Sequence, residues 1–172
     1  MNENPLIQAL KELCLFLNNS NIEYMLVGGL AVGIWSQPRA TVDIDFLVSI
    51  RVDDFSFLKK RLHESGKFVF IHNEPSTFRK VSFLRATLKQ NTNISADFLL
   101  IDDEFKTEAL KRKESVPFGD FTINISTPED LILLKRLSDR EQDKLDAEKI
   151  LTMQKELLDM EYIKKWSEKL GI

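Results

Sequence analysis

Apolar positions recur at two different periods along the first third of the chain. From Pro5 to Leu17, the residues Leu6, Ala9, Leu10, Leu13, Cys14 and Leu17 fall three or four apart, which predicts an amphipathic helix with Cys14 on its core face. The polar run Asn18-Asn19-Ser20-Asn21 ends that pattern. Ile22 to Val27 is a short continuous apolar run, the signature of a buried strand, and Gly28-Gly29 follows it directly. Leu30 to Ser36 predicts a short helix stopped before Pro38, because a residue preceding proline is pushed out of the helical region. Val42 to Val48 then alternates with a period of two. Val42, Ile44, Phe46 and Val48 take one face, and Asp43, Asp45 and Leu47 the other.

Further on, Asp53 to Ser65 predicts a helix buried on Phe55, Leu58 and Leu62, with Gly66 as its stop. Phe68 to Ile71 and Lys80 to Leu88 read as strands, and Gln90-Asn91-Thr92-Asn93 as a hairpin connection into Ile94 to Ile101, which carries Asp97 between Ala96 and Phe98. Phe105 to Lys113 predicts a charged helix, and Val116 to Ile125, broken at Phe118-Gly119-Asp120, a small hairpin. From Ser126 the pattern is helical throughout. Thr127 is placed to cap a helix that has Pro128 at its first position and Glu129 and Asp130 in its first turn. Two more helical segments, Glu141 to Leu158 and Glu161 to Leu170, complete an α/β order of elements. Residues 1–125 form the expected core and residues 126–172 a helical lobe of the same unit; no repeat or linker divides them.

Composition narrows the class. A chain of 172 residues, 43% hydrophobic and 30% charged, fits one globular domain and argues against disordered, collagen-like and membrane classes. The net charge of -3 neither implies nor excludes a nucleic-acid partner. With Cys14 the only cysteine, neither an intrachain disulfide nor a cysteine zinc site can form, and a reducing cytosol is the natural compartment. The longest apolar stretch, Tyr24 to Trp35, falls well short of the ~20 residues a membrane span needs. Met1 to Asn19 lacks the basic start and continuous apolar centre of a signal peptide.

The residues out of keeping with their surroundings are Asp43, Asp45 and Asp97. A carboxylate in a strand among Ile, Phe and Leu has to be paired, exposed on an open face or bound to a cation. A hard divalent cation such as Mg²⁺ takes oxygen ligands, commonly one or two carboxylates with substrate phosphates and water. Asp43 and Asp45 are spaced to share one, and Asp97 from another strand would complete a two-metal clamp. The plainer readings are a solvent-facing strand edge or a turn-capping Asp for Asp43 and Asp45, and a salt bridge from Asp97 to Arg79 or Arg85. Gly28-Gly29 at a strand-to-helix junction lets backbone N–H groups approach a phosphate; alternatively it is only a tight turn. Asp143 and Asp146, near Lys144 and Lys149, read as a solvated helix face. His63 and His72 have no second ligand at usable spacing, and Trp35 and Trp166 read as core.

With these residues in place, "VGGLAVGIWSQPRATVDIDFLV" and "ISADFLLID" resemble the DNA polymerase β-like nucleotidyltransferase superfamily, in its minimal group of AbiEii-type toxins and small aminoglycoside nucleotidyltransferases. The resemblance implies a mixed, mainly antiparallel sheet with helices behind it and a helical lobe across a cleft. It implies that Gly28 and Gly29 hold nucleotide phosphates, that Asp43 and Asp45 bind catalytic metal, and that Asp97 makes the remaining metal contact and activates the acceptor. Arg39 and Thr41 fit the R-x-T-x-D-x-D form of these groups, and Lys135 resembles a lysine directed at the triphosphate; its plainer role is to lie along Leu131, Leu134 and Leu137. The usual Gly-Ser is Gly-Gly here, so backbone N–H groups carry more of the phosphate contact. The implied reaction is transfer of a nucleoside monophosphate from an NTP to an acceptor hydroxyl. Mg²⁺ is the implied cofactor, with Mn²⁺ as its substitute. The acceptor stays open between tRNA, an aminoglycoside-like small molecule and a protein; an antitoxin is the further partner if the chain is half of a toxin–antitoxin pair. A catalytically silent nucleotide- or partner-binding module on the same fold is the alternative, against which the retention of all three acids argues. A nucleotide-sugar glycosyltransferase would need a longer core.

Overall fold

The structure is a computed structural model describing residues 4–70 and 72–172. Residues 1–3, and Ile71 at the end of the expected strand Phe68 to Ile71, lie outside the described residues.

The elements follow in the order α1 Pro5–Asn19, β1 Tyr24–Val27, α2 Gly28–Trp35, β2 Asp43–Arg51, α3 Phe55–Glu64, β3 Phe68–Phe70, β4 Ser76–Phe78, β5 Val81–Leu88, β6 Asn91–Ile101, α4 Glu104–Lys111, β7 Glu114–Phe118, β8 Phe121–Ile125, α5 Pro128–Ser138, α6 Glu141–Met153 and α7 Met160–Leu170. Each of these has a local cause. The Asn4 side chain accepts from the Leu6 N–H and Pro5 takes the first helical position of α1, while the Thr127 hydroxyl accepts from the Asp130 N–H and Pro128 opens α5. Differences from the sequence reading are mostly at ends. β2 runs three residues past Val48, and Val42 stays outside it, exposed. β4 was not expected: a turn at Arg79-Lys80, with Arg79 at φ 53, folds a short strand back onto β5. The β5–β6 turn occupies only residues 89–90, so Asn91 to Asn93 belong to β6 rather than to a connection. α6 ends at Met153 instead of Leu158.

Among the described residues the strands form one mixed, mainly antiparallel sheet in the order β3-β5-β6-β2-β1-β8-β7, with β4 also on β5. β2 is antiparallel to β1 and parallel to β6, and β6 is antiparallel to β5. These three registers align Val27, Asp45, Asp97 and Arg85 as one row across four strands. The opposite face is apolar. There Phe46 packs edge-on against Tyr24 and stacks on Phe98, with ring centroids 5.3 and 6.3 Å apart, and Tyr24 reaches Cys14 of α1. The acid-bearing face is covered instead by α2 and the α5–α6 pair.

α7 and the end of α4 are tied to α5 through Asp130, which is fully buried. Its carboxylate accepts from the Tyr162 hydroxyl at 2.6 Å, the Thr127 hydroxyl at 2.8 Å and Arg112 Nε at 3.1 Å, and the Arg112 guanidinium lies 3.8 Å over the Tyr162 ring. Trp166 is core as expected; Trp35 is only partly buried and donates to the Ser126 carbonyl at 2.8 Å. No helix among the described residues is long and apolar enough to cross a membrane.

Removing one partner of a buried ionic network strands the others, at about 3–5 kcal/mol, whereas losing a helix cap costs about 1 kcal/mol. Asp130→Ala is therefore expected to lower the urea midpoint far more than Thr127→Ala. Equal effects in the two variants would show that Asp130 acts only as part of the α5 cap.

Candidate active site

The site is built on the row that crosses the sheet. The Asp43 and Asp45 side chains share a face because a strand alternates, and parallel pairing sets Asp45 beside Asp97. The chain leaves β1 at Val27 and turns into α2 with Gly28 at φ 66, a left-handed conformation that side chains disfavour. Space as well as conformation requires glycine here. A Cβ on Gly28 would come 1.9 Å from Asp45 Oδ2, and one on Gly29 would come 3.0 Å from Thr41 Oγ1 and 3.1 Å from Arg39 Nη2. The Gly29 N–H donates to the Asp45 carboxylate. At its N-cap residue, Val27, α2 has no polar side chain to cap it. Its first turn thus meets the acids and the Arg39–Thr41 segment together.

These groups open onto one cavity of about 450 Å³. Gly28, Gly29, Arg39, Thr41, Asp43, Asp45, Asp97 and Lys135 all line it, so every residue singled out for the site in the sequence meets there. The wall formed by β4, β5 and β6 adds Phe78, Val81, Phe83, Leu99 and Arg85; the α5–α6 wall adds Leu131, Leu134, Ser138, Arg140, Gln142 and Asp143.

Two electrostatic features set the chemistry. Burial first, then the neighbouring charge of Asp97, and to a smaller degree that of Asp43, push the Asp45 carboxyl up to about 7, against the pull of Lys135. Asp45 is an acid short of positive charge, which is the condition a divalent cation relieves. Asp97 is in the opposite state. Arg85, its direct cross-strand neighbour, grips it with Nε on Oδ1 at 2.6 Å and Nη2 on Oδ2 at 2.5 Å. Of the two salt-bridge partners considered from sequence, Arg85 is the one engaged; Arg79 pairs with Asp139. Among the described residues no three His, Cys, Asp or Glu converge as a metal cage. Asp43 and Asp45 suit one hard cation with phosphate and water completing its shell, while each oxygen of Asp97 already accepts one hydrogen bond from Arg85.

The opposite wall corrects one expectation. Asp143 and Asp146 are not a solvated face but are 1% and 0% exposed. Lys135 Nζ lies 2.7 Å from Asp143 Oδ1 and 2.9 Å from Asp146 Oδ2; Arg39 forks onto Asp146 at 3.0 and 3.1 Å, and Arg140 Nε reaches Asp143 at 2.6 Å. Burial alone would raise Asp143, but Arg140 and Lys135 bring it down to about 2; Arg39 and Lys135 likewise hold Asp146 below the usual range against its burial. Lys135 is thus neither lying along its leucines nor free: two carboxylates aim it at the cavity. A signal for this existed in the sequence. Ala147 and Ile150 fix the buried stripe of α6, and Asp143 and Asp146 continue it one turn back, whereas Leu145 lies off it and is exposed.

The comparisons with known proteins bear on the family and the fold. A family model described as "Nucleotidyl transferase AbiEii toxin, Type IV TA system" matches residues 9–147. No curated protein matches the chain. Among solved structures, ANT(2")-Ia, in complex with adenylyl-2"-tobramycin, is similar with a TM-score of 0.61 at 11% identity, over 98% of each chain. The lincosamide adenylyltransferase LnuA, solved with lincomycin, has a TM-score of 0.56 at 16% identity, over 89% of this chain and 99% of its own. A nucleotidyltransferase-like protein of Thermotoga maritima has a TM-score of 0.56 at 15% identity, over 98% of this chain and 96% of its own. At such identities the likeness shows a common fold.

Asp45 also makes a prediction about pH. Its folded carboxyl titrates near 7, against ~3.9 in an unfolded chain, so between those values the folded state holds a proton that the unfolded state lacks. That contribution to stability is lost as pH rises from about 4 to about 7. In metal-free buffer, Asp45→Asn should therefore be the more stable protein above pH ~7, by at least about 1 kcal/mol or roughly 2–4 °C in Tm, and should lose this advantage near pH 4. A Tm difference that does not vary with pH would contradict the shift.

Proposed function

We propose a function from this premise: the chain belongs to the AbiEii nucleotidyl transferase toxin family. It is a metal-dependent enzyme that transfers a nucleoside monophosphate from an NTP to an acceptor hydroxyl and releases pyrophosphate. The observation that carries this reading is the convergence of Gly28, Gly29, Asp43, Asp45, Asp97 and Lys135 on one cavity.

The roles follow from position. Gly28 and Gly29 let the first turn of α2, whose N-cap residue Val27 offers no side-chain cap, come close to the phosphates beside Asp45. Lys135, Arg39 and Arg140 supply positive charge from the facing wall. The buried carboxylates Asp143 and Asp146 hold those cations in place, so little side-chain entropy is lost when a triphosphate binds. Thr41 stands beside Gly29 and steadies the entry to β2. Asp43 and Asp45 would hold Mg²⁺, or Mn²⁺ in its place, and such an ion neutralises the triphosphate and the charge that develops on in-line displacement. Asp97 faces the acceptor side, where each carboxylate oxygen keeps a lone pair to orient the acceptor hydroxyl.

The acceptor is proposed to be tRNA, a small molecule or a protein, with an antitoxin as partner in the cell; the family description supports the toxin reading. The direct experiment incubates the protein with Mg²⁺ and each α-labelled NTP, using total tRNA, aminoglycosides or the protein itself as acceptor. Label should move to one acceptor class. Asp43→Asn and Asp45→Asn should each reduce transfer by ~10³-fold or more, about 4 kcal/mol of transition-state stabilisation. Transfer that survives either change would remove the metal assignment. Lys135→Met should raise KM for the NTP more than it lowers kcat; a pure kcat loss would contradict a triphosphate contact.

A further inference from the structure

We infer that the site holds a single divalent ion, on Asp43 and Asp45, and that Arg85 gives Asp97 the positive charge a second ion would bring. This rests on the nucleotidyltransferase reading proposed above and fixes how its acids are shared.

The arrangement is built into the sheet. Arg85 and Asp97 are directly opposite in the β5–β6 register, so their pairing follows from strand alignment and not from a mobile loop. The guanidinium meets both carboxylate oxygens, at 2.6 and 2.5 Å, in the planar fork that only arginine offers. Its carbon lies 5.8 Å over the Phe83 ring two residues away, which keeps the side chain on the acid-bearing face. Asp97 is 7% exposed, while the Arg85 side chain is 36% exposed and lines the cavity. The charge is also shared: Arg85 is held more firmly protonated than usual by its hydrogen bonds to Asp97, against the effect of burial, and then by Asp97, Asp43 and Asp45 as charges.

A second ion on Asp97 would either displace this fork and leave the guanidinium without its partner, or take the remaining lone pairs directly beside a fixed positive charge. Nothing of the kind opposes an ion on Asp43 and Asp45, neither of which is held by an Arg or Lys among the described residues: Lys135 and Arg39 are engaged by Asp143 and Asp146 and Arg85 by Asp97. Asp97 then acts as a positioning residue, held by Arg85 and free on its remaining lone pairs toward an acceptor.

Mn²⁺ alone, titrated into the protein and followed by the electron paramagnetic resonance signal of the free ion, separates the cases. The wild type and Asp97→Asn should each bind one ion per chain, Asp45→Asn none, and Arg85→Met two, the second of which is lost again in Arg85→Met/Asp97→Asn. Two ions on the wild type, with one lost in Asp97→Asn, would overturn the inference and leave the proposed reaction standing. A folded Arg85→Met that still binds one ion would overturn the role given to Arg85. No ion on the wild type, or one indifferent to Asp45→Asn, would overturn the metal assignment and the inference together.

Discussion

Asp45 lies in the middle of a sheet with Val27 on one side and a second acid, Asp97, on the other, and the charge of that pair has to be answered from outside β2. Carboxylates in such a place are tolerated only when hydrogen-bonded, paired or bound to a cation. The structure answers each differently. Arg85 pairs with both oxygens of Asp97, whereas Asp45 receives one backbone N–H from Gly29 and a distant pull from Lys135, and stays short of positive charge. Gly28 is required by the same constraint, since any side chain there would occupy the Asp45 carboxylate.

The helical lobe is bound into this electrostatic arrangement. α5 ends at Asp139 in the left-handed region, which lets α6 turn back and set its buried stripe against Lys135. Two fully buried carboxylates on α6 would be a heavy cost without partners; with Lys135, Arg39 and Arg140 they become a rigid mount for three cations facing the acids across the cavity. Arg39 precedes β2 and Asp146 is on α6, so this mount also staples the lobe to the sheet. The scaffold and the reaction class come from the shared fold and family. The β4–β6 wall of the same cavity is apolar at Phe78, Val81, Phe83 and Leu99 and cationic at Arg85.

Much of the site was legible in the sequence because it is local. Period-two alternation puts Asp43 and Asp45 on one face wherever the strand ends up, and a glycine pair between an apolar run and a helix predicts a close backbone approach. The missed carboxylates, Asp143 and Asp146, show the limit of judging a residue by its charged neighbours. Lys144 and Lys149 suggested a solvated face, while the phase of Ala147 and Ile150 pointed inward. β4 escaped because it depends on a left-handed residue, Arg79, with no glycine to announce it.

The sequence by itself determined the order of elements apart from β4, the acid-bearing face of β2, the cap of α5, and the α/β class, since each follows from near-neighbour periodicity and backbone sterics. Only the tertiary structure decided that Asp97 aligns with Asp45 on one side and Arg85 on the other, because strand register between distant segments is set by packing of the whole sheet. It alone decided, too, that Lys135 would be held by α6: burial turns a charged helix face into an ion-pair mount only once the helix has somewhere to be buried.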